Sequence, residues 1–257
     1  MTAGVPVYHP RAEARRAVRR GIPNRAGGGV RVCRSADQLR RLMAQRLVDA
    51  VVLDVKSAPA DVFELPIRFP RIPFYALSAF TPEDGAILAR CGDAHFAGVL
   101  VEGVDNAVAG EWIAARSAGR ARRESLAEGP KLLRLSEPIQ RDAWTEVLRR
   151  VGRPTTTGQI AQALGVTREY LSRQFAAGGA PNLKRVIDLA RVAWAADLLA
   201  NPGYPVGVVA RLLGYASSGP LAQAARRVAG VPSGQLAELR ATGVLRRFVR
   251  GHTRSYS

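Results

Sequence analysis

Four polar side chains between Thr167 and Phe175 are of the types that form hydrogen bonds with the edges of DNA bases, and their spacing places them on one face of a helix. Leu171 and Phe175 stand four residues apart and form the apolar stripe of that helix. The outward side chains are Arg168, Glu169, Ser172 and Arg173. The stretch predicts a DNA-reading helix, and the alternative is one arm of an ordinary helical hairpin.

A second short helix is predicted immediately before it. Thr156 and Gln159 have the spacing of a capping box, in which each side chain satisfies a backbone N–H at the start of the helix. Its apolar face consists of Ile160, Ala161 and Leu164. Gly165 can adopt the left-handed conformation that reverses the chain, and Thr167 can cap the next helix. Two short helices joined by a glycine turn form a helix-turn-helix.

The same pattern occurs again in residues 206–230. Gly214 takes the place of Gly165, and the second turn is one residue longer. The apolar positions of the repeat are Val209, Ala210, Leu213 and Leu221. Between the copies, residues 183–201 carry apolar side chains at helical spacing and predict a long helix that holds the two units at a fixed distance. Repetition around a rigid spacer favours two DNA-reading units over a single hairpin.

These stretches together resemble the C-terminal DNA-binding domain of AraC/XylS-type transcriptional regulators, over roughly residues 132–239. The resemblance rests on IAQALGVTREYLSRQF, ARVAWAADLL and VARLLGYASSGPLAQAARRVAGVPSGQL. The family's glycine followed by a hydrophobic residue is present as Gly165–Val166 and Gly214–Tyr215, and its closing signature as Gly230–Pro232. The resemblance implies two recognition helices in successive major grooves, about 34 Å apart on one face of the DNA.

The resemblance also implies which residues contact bases. They are Glu169, Ser172 and Arg173 in the first unit and Ser218, Gly219, Pro220 and Gln223 in the second. The second unit departs from the family, because Gln223 stands where arginine is usual and Ala225 where phenylalanine is usual. Pro220 is tolerated in the first helical turn, where the backbone N–H is free. We expect the first unit to read most of the bases and the second to hold phosphates. The arginines that would hold them, each also typical of a solvated helix face, are Arg211, Arg226 and Arg227.

The charge of the chain favours a polyanionic partner. Its 257 residues carry a formal net charge of +17, and a basic protein that neutralises DNA phosphates releases their counterions. Residues 131–257 hold 19 Lys and Arg against 7 Asp and Glu, a net of +12, whereas residues 29–111 hold 9 against 11, a net of −2. The excess therefore falls on the helix-turn-helix half. No apolar run reaches transmembrane length and no signal peptide is evident, so a cytoplasmic protein is expected.

The N-terminal part is predicted to alternate five strands with helices. The expected strands are 5–8, 30–33, 50–54, 73–78 and 96–101, and the expected helices 11–20, 36–45, 81–92 and 106–116. The run Ala50–Asp54 is apolar up to its carboxylate, which is typical of a strand buried on both faces. The predicted fold class is α/β plus all-α, with a doubly wound five-stranded parallel sheet followed by a helical domain.

That order resembles the receiver domain of two-component response regulators over roughly residues 4–118, on the basis of VVLDV and FYALSAFTPEDGAILARCGDAHFAGVLV. The resemblance puts Asp54 at the phosphoacceptor position and Ser78 at the hydroxyl position. His9–Pro10 replaces the acidic pair that holds magnesium in receivers, and Glu102–Gly103 replaces their Lys–Pro. Phosphoryl transfer to a carboxylate needs a divalent cation and a fixed cation. We therefore expect a pseudo-receiver, with Asp54 a vestigial phosphoacceptor.

Domain boundaries follow from changes in composition. We expect a pseudo-receiver-like α/β domain over 1–118, a linker over 119–138, a DNA-binding domain over 139–249 and a basic tail over 250–257. Small, charged and proline residues favour the linker. The basic segment 11–25 is expected to form a helix, and a loose arm touching DNA is the alternative. The apolar stripe of that helix is Ala14, Ala17 and Val18.

No residue pattern indicates an enzyme, a metal site or a cofactor. Cys33 and Cys91 lack a disulfide framework and metal-ligand spacing, so they are expected to be small buried hydrophobes. Gly27–Gly29 precedes a strand, whereas a dinucleotide-binding loop follows one. Double-stranded DNA is the expected partner. RNA polymerase, and a second copy or another protein on the N-terminal domain, are further candidates, and no membrane is expected.

Three functions are compatible with these features. We favour a sequence-specific transcriptional regulator whose N-terminal domain dimerises or binds a signal or partner without phosphorylation. The first alternative is a non-specific DNA-binding or protein-interaction adaptor with a decayed second helix-turn-helix. The second is a true response regulator that is phosphorylated on Asp54.

Overall fold

Five parallel strands form the sheet of the N-terminal part of the chain. The computed structural model describes residues 4–22, 29–176 and 179–253. The strands are β1 (Gly4–Tyr8), β2 (Gly29–Cys33), β3 (Val51–Leu53), β4 (Phe74–Ser78) and β5 (Gly98–Val101). Their spatial order is β2-β1-β3-β4-β5, which is the flavodoxin-like doubly wound order with its switch point between β1 and β3. The predicted sheet is confirmed.

A helix follows each strand, and all of these helices except the one after β3 were predicted from the sequence. They are α1 (Ala12–Gly21), α2 (Ala36–Gln45), α3 (Leu65–Arg68), α4 (Gly85–Asp93) and α5 (Ala109–Ala115). Ala14, Ala17 and Val18 form the buried face of α1, so the predicted stripe is confirmed. α1 also lies very close to α5, because Gly21 and Gly110 have no side chain. A Cβ on Gly21 would lie 2.1 Å from the backbone nitrogen of Glu111.

Some elements of this unit differ from the sequence expectation. The loop after β3 contains a 3₁₀ turn, Ala60–Glu64, and α3, although its prolines favoured an irregular loop. The helices expected at 81–92 and 106–116 begin with 3₁₀ turns, Pro82–Asp84 and Asp105–Ala107, so α4 and α5 start later. The helix expected in the basic segment is confirmed over α1. Residues 23–28, which include Arg25, lie outside the described residues.

The stretch expected to be a linker is partly helical. Residues 119–138 include most of α6 (Ala118–Glu124) and all of α7 (Gly129–Leu132). Leu126, Leu133 and Leu135 are buried, so the apolar residues of this stretch belong to a core. Two compact units can be distinguished, with the first boundary after Ala121. They are Met1–Ala121 with Asn201–Tyr204, and Arg122–Ala200 with Pro205–Ser257.

The second unit is all-helical and is built around one long helix. Its further helices are α8 (Pro138–Arg150), α9 (Thr157–Ala163), α10 (Arg168–Ala176), α11 (Leu183–Leu199), α12 (Val206–Leu212), α13 (Ser218–Ala229) and α14 (Leu236–Thr253). The long helix α11 spans 17 residues, or about 26 Å, and packs against α8, α12, α13 and α14. It is the spacer predicted between the two helix-turn-helix units.

α14 consists of two helical segments, and a buried carboxylate accepts hydrogen bonds where they meet. Arg240 has φ 57° and ψ 173°, outside helical values, and separates two helical segments. Asp197 on α11 accepts hydrogen bonds from Nε of Arg240 (3.1 Å) and from the backbone N–H of Ala241 (3.2 Å). The second segment then buries Val244, Leu245 and Phe248, as expected for a helix docked on its domain.

The C-terminal end of α14 also departs from the sequence expectation. The helix extends through Thr253, so the expected basic tail 250–257 begins inside it, and residues 254–257 lie outside the described residues. Within 4–22, 29–176 and 179–253, no helix is long and apolar enough to cross a membrane.

Candidate nucleic-acid interface and sheet-edge site

Both helix-turn-helix units end their first helix in the same way. Gly165 and Gly214 have φ of 69° and 74°, the left-handed conformation that favours glycine. The next residue then donates its N–H to the carbonyl five residues back, Val166 to Ala161 (3.1 Å) and Tyr215 to Ala210 (2.9 Å). These bonds satisfy carbonyls at the helix ends. The recurrence of glycine followed by a hydrophobic residue therefore has a local physical cause.

Side-chain caps fix the start of both helices in the first unit. Thr156 Oγ1 accepts from the N–H of Gln159 (3.3 Å), and Gln159 Oε1 accepts from the N–H of Thr156 (2.9 Å). Thr167 Oγ1 accepts from the N–H of Tyr170 (3.1 Å) at the start of α10. The predicted capping box and the predicted Thr167 cap are confirmed.

Burial of one side of α10 leaves a polar front on the other. Leu171 and Phe175 are almost fully buried, as their spacing predicted. The side chains on the solvent side are Arg168, Glu169, Ser172 and Arg173, all exposed. They form two i, i+4 pairs, so they lie as neighbours along the helix. A short helix with such a front can enter a major groove and bond base edges.

A shallow cleft of about 290 Å³ lies beside this front and adds a cation that the helix-turn-helix pattern does not predict. Its lining includes Arg168, Ser172, Asn182 and Lys184. Asn182 caps α11 by accepting from the N–H of Arg185 (3.0 Å), which places Lys184 in the first turn. The spacing of Asn182 and Lys184 could have indicated the helix start. Their approach to α10 depends on tertiary packing.

The second unit has the same architecture with a poorer front. Its turn is one residue longer than that of the first unit. The turn between α12 and α13 covers 213–217, and the turn between α9 and α10 covers 164–167. Pro220 is the third residue of α13 and needs no partner for its missing N–H, as expected. The exposed positions are Ser218, Gly219, Pro220 and Gln223. Only Ser218 and Gln223 among them have polar side chains.

The two arginines at the end of α13 have different surroundings. Arg226 is exposed. Arg227 is also exposed, but its Nη2 lies 2.7 Å from Oδ2 of Asp188 on α11. Arg211, on α12, is exposed as well. The charge of Arg227 is thus partly compensated, and Arg226 is the stronger candidate for a phosphate contact.

One arginine of α11 holds the second turn. The guanidinium of Arg191 donates to the carbonyl of Leu213 through Nε (3.1 Å) and Nη2 (2.9 Å) and lies 3.8 Å from the ring centroid of Tyr215. Burial raises the pKa of Tyr215 to about 12. The family-type hydrophobic residue after Gly214 is therefore part of the packing that fixes the turn.

The carboxylate of Asp54, at the carboxyl end of the central strand, accepts hydrogen bonds on both oxygens. Asp54 follows β3 and is buried. Its Oδ1 accepts from Oγ of Ser78 (2.5 Å), and its Oδ2 accepts from Oγ of Ser57 (2.7 Å). The backbone N–H of Lys56 donates to Oδ1 as well (3.3 Å). Asp54 and Ser78 are thus neighbours, as the receiver resemblance implied.

The residues at the other two receiver positions interact with each other. Nε2 of His9 lies 3.6 Å from Oε2 of Glu102, and Nη1 of Arg11 lies 3.1 Å from the same oxygen. Burial lowers the pKa of His9, against the opposing effects of the Asp54 and Glu102 carboxylates. Lys56 does not reach Asp54 with its ammonium group, which pairs with Asp84 at 2.7 Å. Among the residues that the structure describes, no group of three or more His, Cys, Asp or Glu could hold a metal ion.

The two cysteines are buried, as expected, and each has a free thiol. Burial raises the pKa of Cys33 to about 11 and also raises that of Cys91. Both thiols are therefore protonated at neutral pH and poorly reactive.

Paired helix-turn-helix units with exposed polar fronts define a DNA-binding protein. Residues 160–238 match a family model described as a helix-turn-helix domain. This region is an AraC-type helix-turn-helix domain, so the chain is a DNA-binding transcription regulator. No curated protein matches the chain.

Three solved structures are similar to this chain, each with a TM-score of 0.37. The C-terminal domain of AraT, a response regulator from Geobacillus stearothermophilus, is 25% identical over 40% of this chain and 87% of its own. A response regulator from Thermotoga maritima is 16% identical over 45% and 97%. Full-length FixJ from B. japonicum is 13% identical over 88% and 98%. The receiver-like fold of the N-terminal unit follows from its own strand order.

Proposed function

We propose that this protein is a sequence-specific transcriptional regulator that places α10 and α13 in successive major grooves of one DNA face. The observation that carries the proposal is the exposed polar front of α10, held by the buried pair Leu171 and Phe175. Recognition helices one DNA turn apart would be separated by about 34 Å. The rigid helix α11 supports a fixed separation.

We propose that the two helix-turn-helix units contribute differently to DNA binding. α10 offers Glu169, Ser172 and Arg173 for base edges, with Arg168 beside them. The front of α13 offers Ser218 and Gln223, since Gly219 and Pro220 have no hydrogen-bonding side chains. We therefore assign most base readout to the first unit. The second holds phosphates, mainly through Arg226.

We further propose that the N-terminal unit acts without phosphorylation, as a dimerisation or signal-binding domain. Both oxygens of Asp54 already accept hydrogen bonds, and Glu102 stands where receivers carry a fixed cation. Exposed apolar side chains near β5 support a protein contact. They are Val99, Val104 and Val108.

Selection of bound duplexes from a random DNA pool by the full-length protein, at two salt concentrations, tests the proposal. We expect an asymmetric site with two boxes about one helical turn apart. A single enriched box would assign base readout to α10 alone. No enrichment, with affinity collapsing as salt rises, would instead indicate the non-specific DNA-binding or adaptor alternative, which Gly219 and Pro220 favour.

The phosphoacceptor alternative has its own test. The wild type and Asp54→Ala are incubated with acetyl phosphate and magnesium. We expect no hydroxylamine-labile phosphate on either protein, because the described residues place neither a metal-binding acidic pair nor a fixed cation beside Asp54. Such a phosphate on the wild type alone would show that the protein is a true response regulator.

A further inference from the structure

A cleft of about 740 Å³ opens in the N-terminal unit beside the carboxyl ends of β1 and β2. α1 forms one side of it, and the end of β2 with the start of α2 forms the other. Among the residues that the structure describes, its lining includes four arginines and no aspartate or glutamate. The arginines are Arg15, Arg16 and Arg19 on α1 and Arg34 after β2.

This concentration of positive charge is local. Residues 29–111, which form most of the unit, hold 9 Lys and Arg against 11 Asp and Glu. Yet none of the ion pairs found among the described residues involves the four cleft arginines. Like charges gathered without counter-charges repel one another. An anion in the cleft would relieve that repulsion.

Arg15 is held in place without being neutralised. It is half-buried, and its Nη1 donates to the backbone carbonyls of His9 (2.8 Å) and Pro10 (2.6 Å). Carbonyl oxygens orient the guanidinium but leave its full charge. A preorganised cation of this kind loses little side-chain entropy when it meets an anion.

We propose that this cleft binds a small anion carrying more than one phosphate group. Ligands of doubly wound sheets bind outside the carboxyl ends of the strands, where this cleft lies. Guanidinium groups bond phosphate oxygens in pairs, and cations on two facing walls suit a chain of phosphates better than a single one. The volume is in the range of small-molecule sites, and the ring of Tyr8 offers a surface for a nucleoside base.

The shape of the cleft favours a small anion over DNA. A DNA-binding protein contacts phosphates with cations that lie along one exposed face, whereas the arginines of this cleft lie on opposite walls of a recess. The proposal does not rest on DNA reading by α10 or α13.

Isothermal titration of the full-length protein with sodium triphosphate and with ATP, without magnesium and at physiological ionic strength, tests the proposal. The cleft variant is Arg16→Gln/Arg34→Gln. The matched control, Arg20→Gln/Arg41→Gln, removes the same charge from exposed residues outside the cleft. We expect the affinity of the cleft variant to fall about tenfold or more, because two guanidinium–phosphate contacts are lost, and that of the control to stay near the wild type.

The two probes separate the sources of the phosphate. Tighter binding of ATP than of triphosphate would identify a nucleotide, and equal binding would identify the phosphate chain as what is recognised. A second variant, Arg16→Lys/Arg34→Lys, keeps the charge but loses the guanidinium fork and should bind with intermediate affinity. Thermal unfolding of each variant shows that it is folded.

Three outcomes would overturn the proposal. One is the absence of saturable binding of either probe. Another is equal weakening in the cleft variant and the control, which would indicate attraction to general positive charge. The third is a selective loss of duplex DNA affinity in the cleft variant with no loss for the phosphate probes, which would make the cleft part of a DNA surface.

Discussion

At the scale of single residues, Arg173 is the arginine of α10 that is proposed to contact a base edge. It is exposed on α10, while Leu171 and Phe175 fix the opposite side of the helix. We predict that Arg173→Ala relaxes base preference at one position and weakens specific binding by about 1–3 kcal/mol, because a bidentate arginine–guanine pair is lost. Binding to duplexes that carry each base at each position measures this. Unchanged discrimination everywhere would exclude the role, and Arg41→Ala should leave all preferences unaltered.

His9 gives the N-terminal unit a pH-dependent stability. It is 4% exposed, and burial holds its pKa below 6.5 although Asp54 and Glu102 oppose this and Arg11 adds to it. Below about pH 6.5 the unfolded state therefore binds more protons than the folded state, so stability falls as the pH drops. The contribution of neutral His9 to stability is fully present when the pH lies well above that value.

We predict that, as the pH falls from about 7.5 to 5.5, backbone amides of this unit lose more protection from hydrogen exchange in the wild type than in His9→Gln. Hydrogen exchange of β1 and β4 reports on this unit alone, once rates are corrected for the intrinsic effect of pH. Equal losses in the two proteins would show that His9 does not control the dependence. Glutamine keeps a polar group in the site and removes the titration.

The two glycine turns make the same bonds but tolerate a side chain differently, which is a test at the scale of elements. A Cβ on Gly165 meets no atom within 4 Å, whereas one on Gly214 would lie 3.0 Å from the backbone nitrogen of Pro154. We predict that Gly165→Ala destabilises the C-terminal unit by about 1–2 kcal/mol, the cost of a left-handed alanine. Gly214→Ala should cost more, because Pro154 must also move.

Urea unfolding of the C-terminal unit measures both glycine variants. An effect of Gly214→Ala equal to or smaller than that of Gly165→Ala would contradict this account of the second turn. Gly234→Ala is a suitable control, since its φ is outside the left-handed region and nothing lies near its Cβ.

Elements with strong local signals could be predicted from the sequence. The capping box at Thr156, the cap at Thr167 and the apolar spacing of α11 depend on residues a few positions apart. The helices α3, α6 and α7 were missed because they are short and contain or adjoin proline or glycine, and packing overrides those local signals. Lys184 beside α10, and Asp188 paired with Arg227, could not be predicted because residues far apart in sequence meet there.

Charge is distributed unequally over the whole molecule, and this determines how its DNA affinity should depend on salt. Residues 131–257 carry a net charge of +12, with 19 Lys and Arg against 7 Asp and Glu. Each phosphate neutralised by this half contributes about 0.9 to the slope of log affinity against log salt concentration. A phosphate contact and a base contact can therefore be distinguished by how the loss of each responds to salt.

We predict that Arg226→Ala weakens binding evenly over all sequences and reduces the salt slope by about 1, because its exposed guanidinium would contact a phosphate. Arg227→Ala, next to it on α13, should change the slope less, since Asp188 already compensates its charge. Fluorescence anisotropy with specific and unrelated duplexes over a salt series measures both. A change in base preference, or an unchanged slope, in Arg226→Ala would remove it from the phosphate contacts and leave the second unit without its principal proposed anchor.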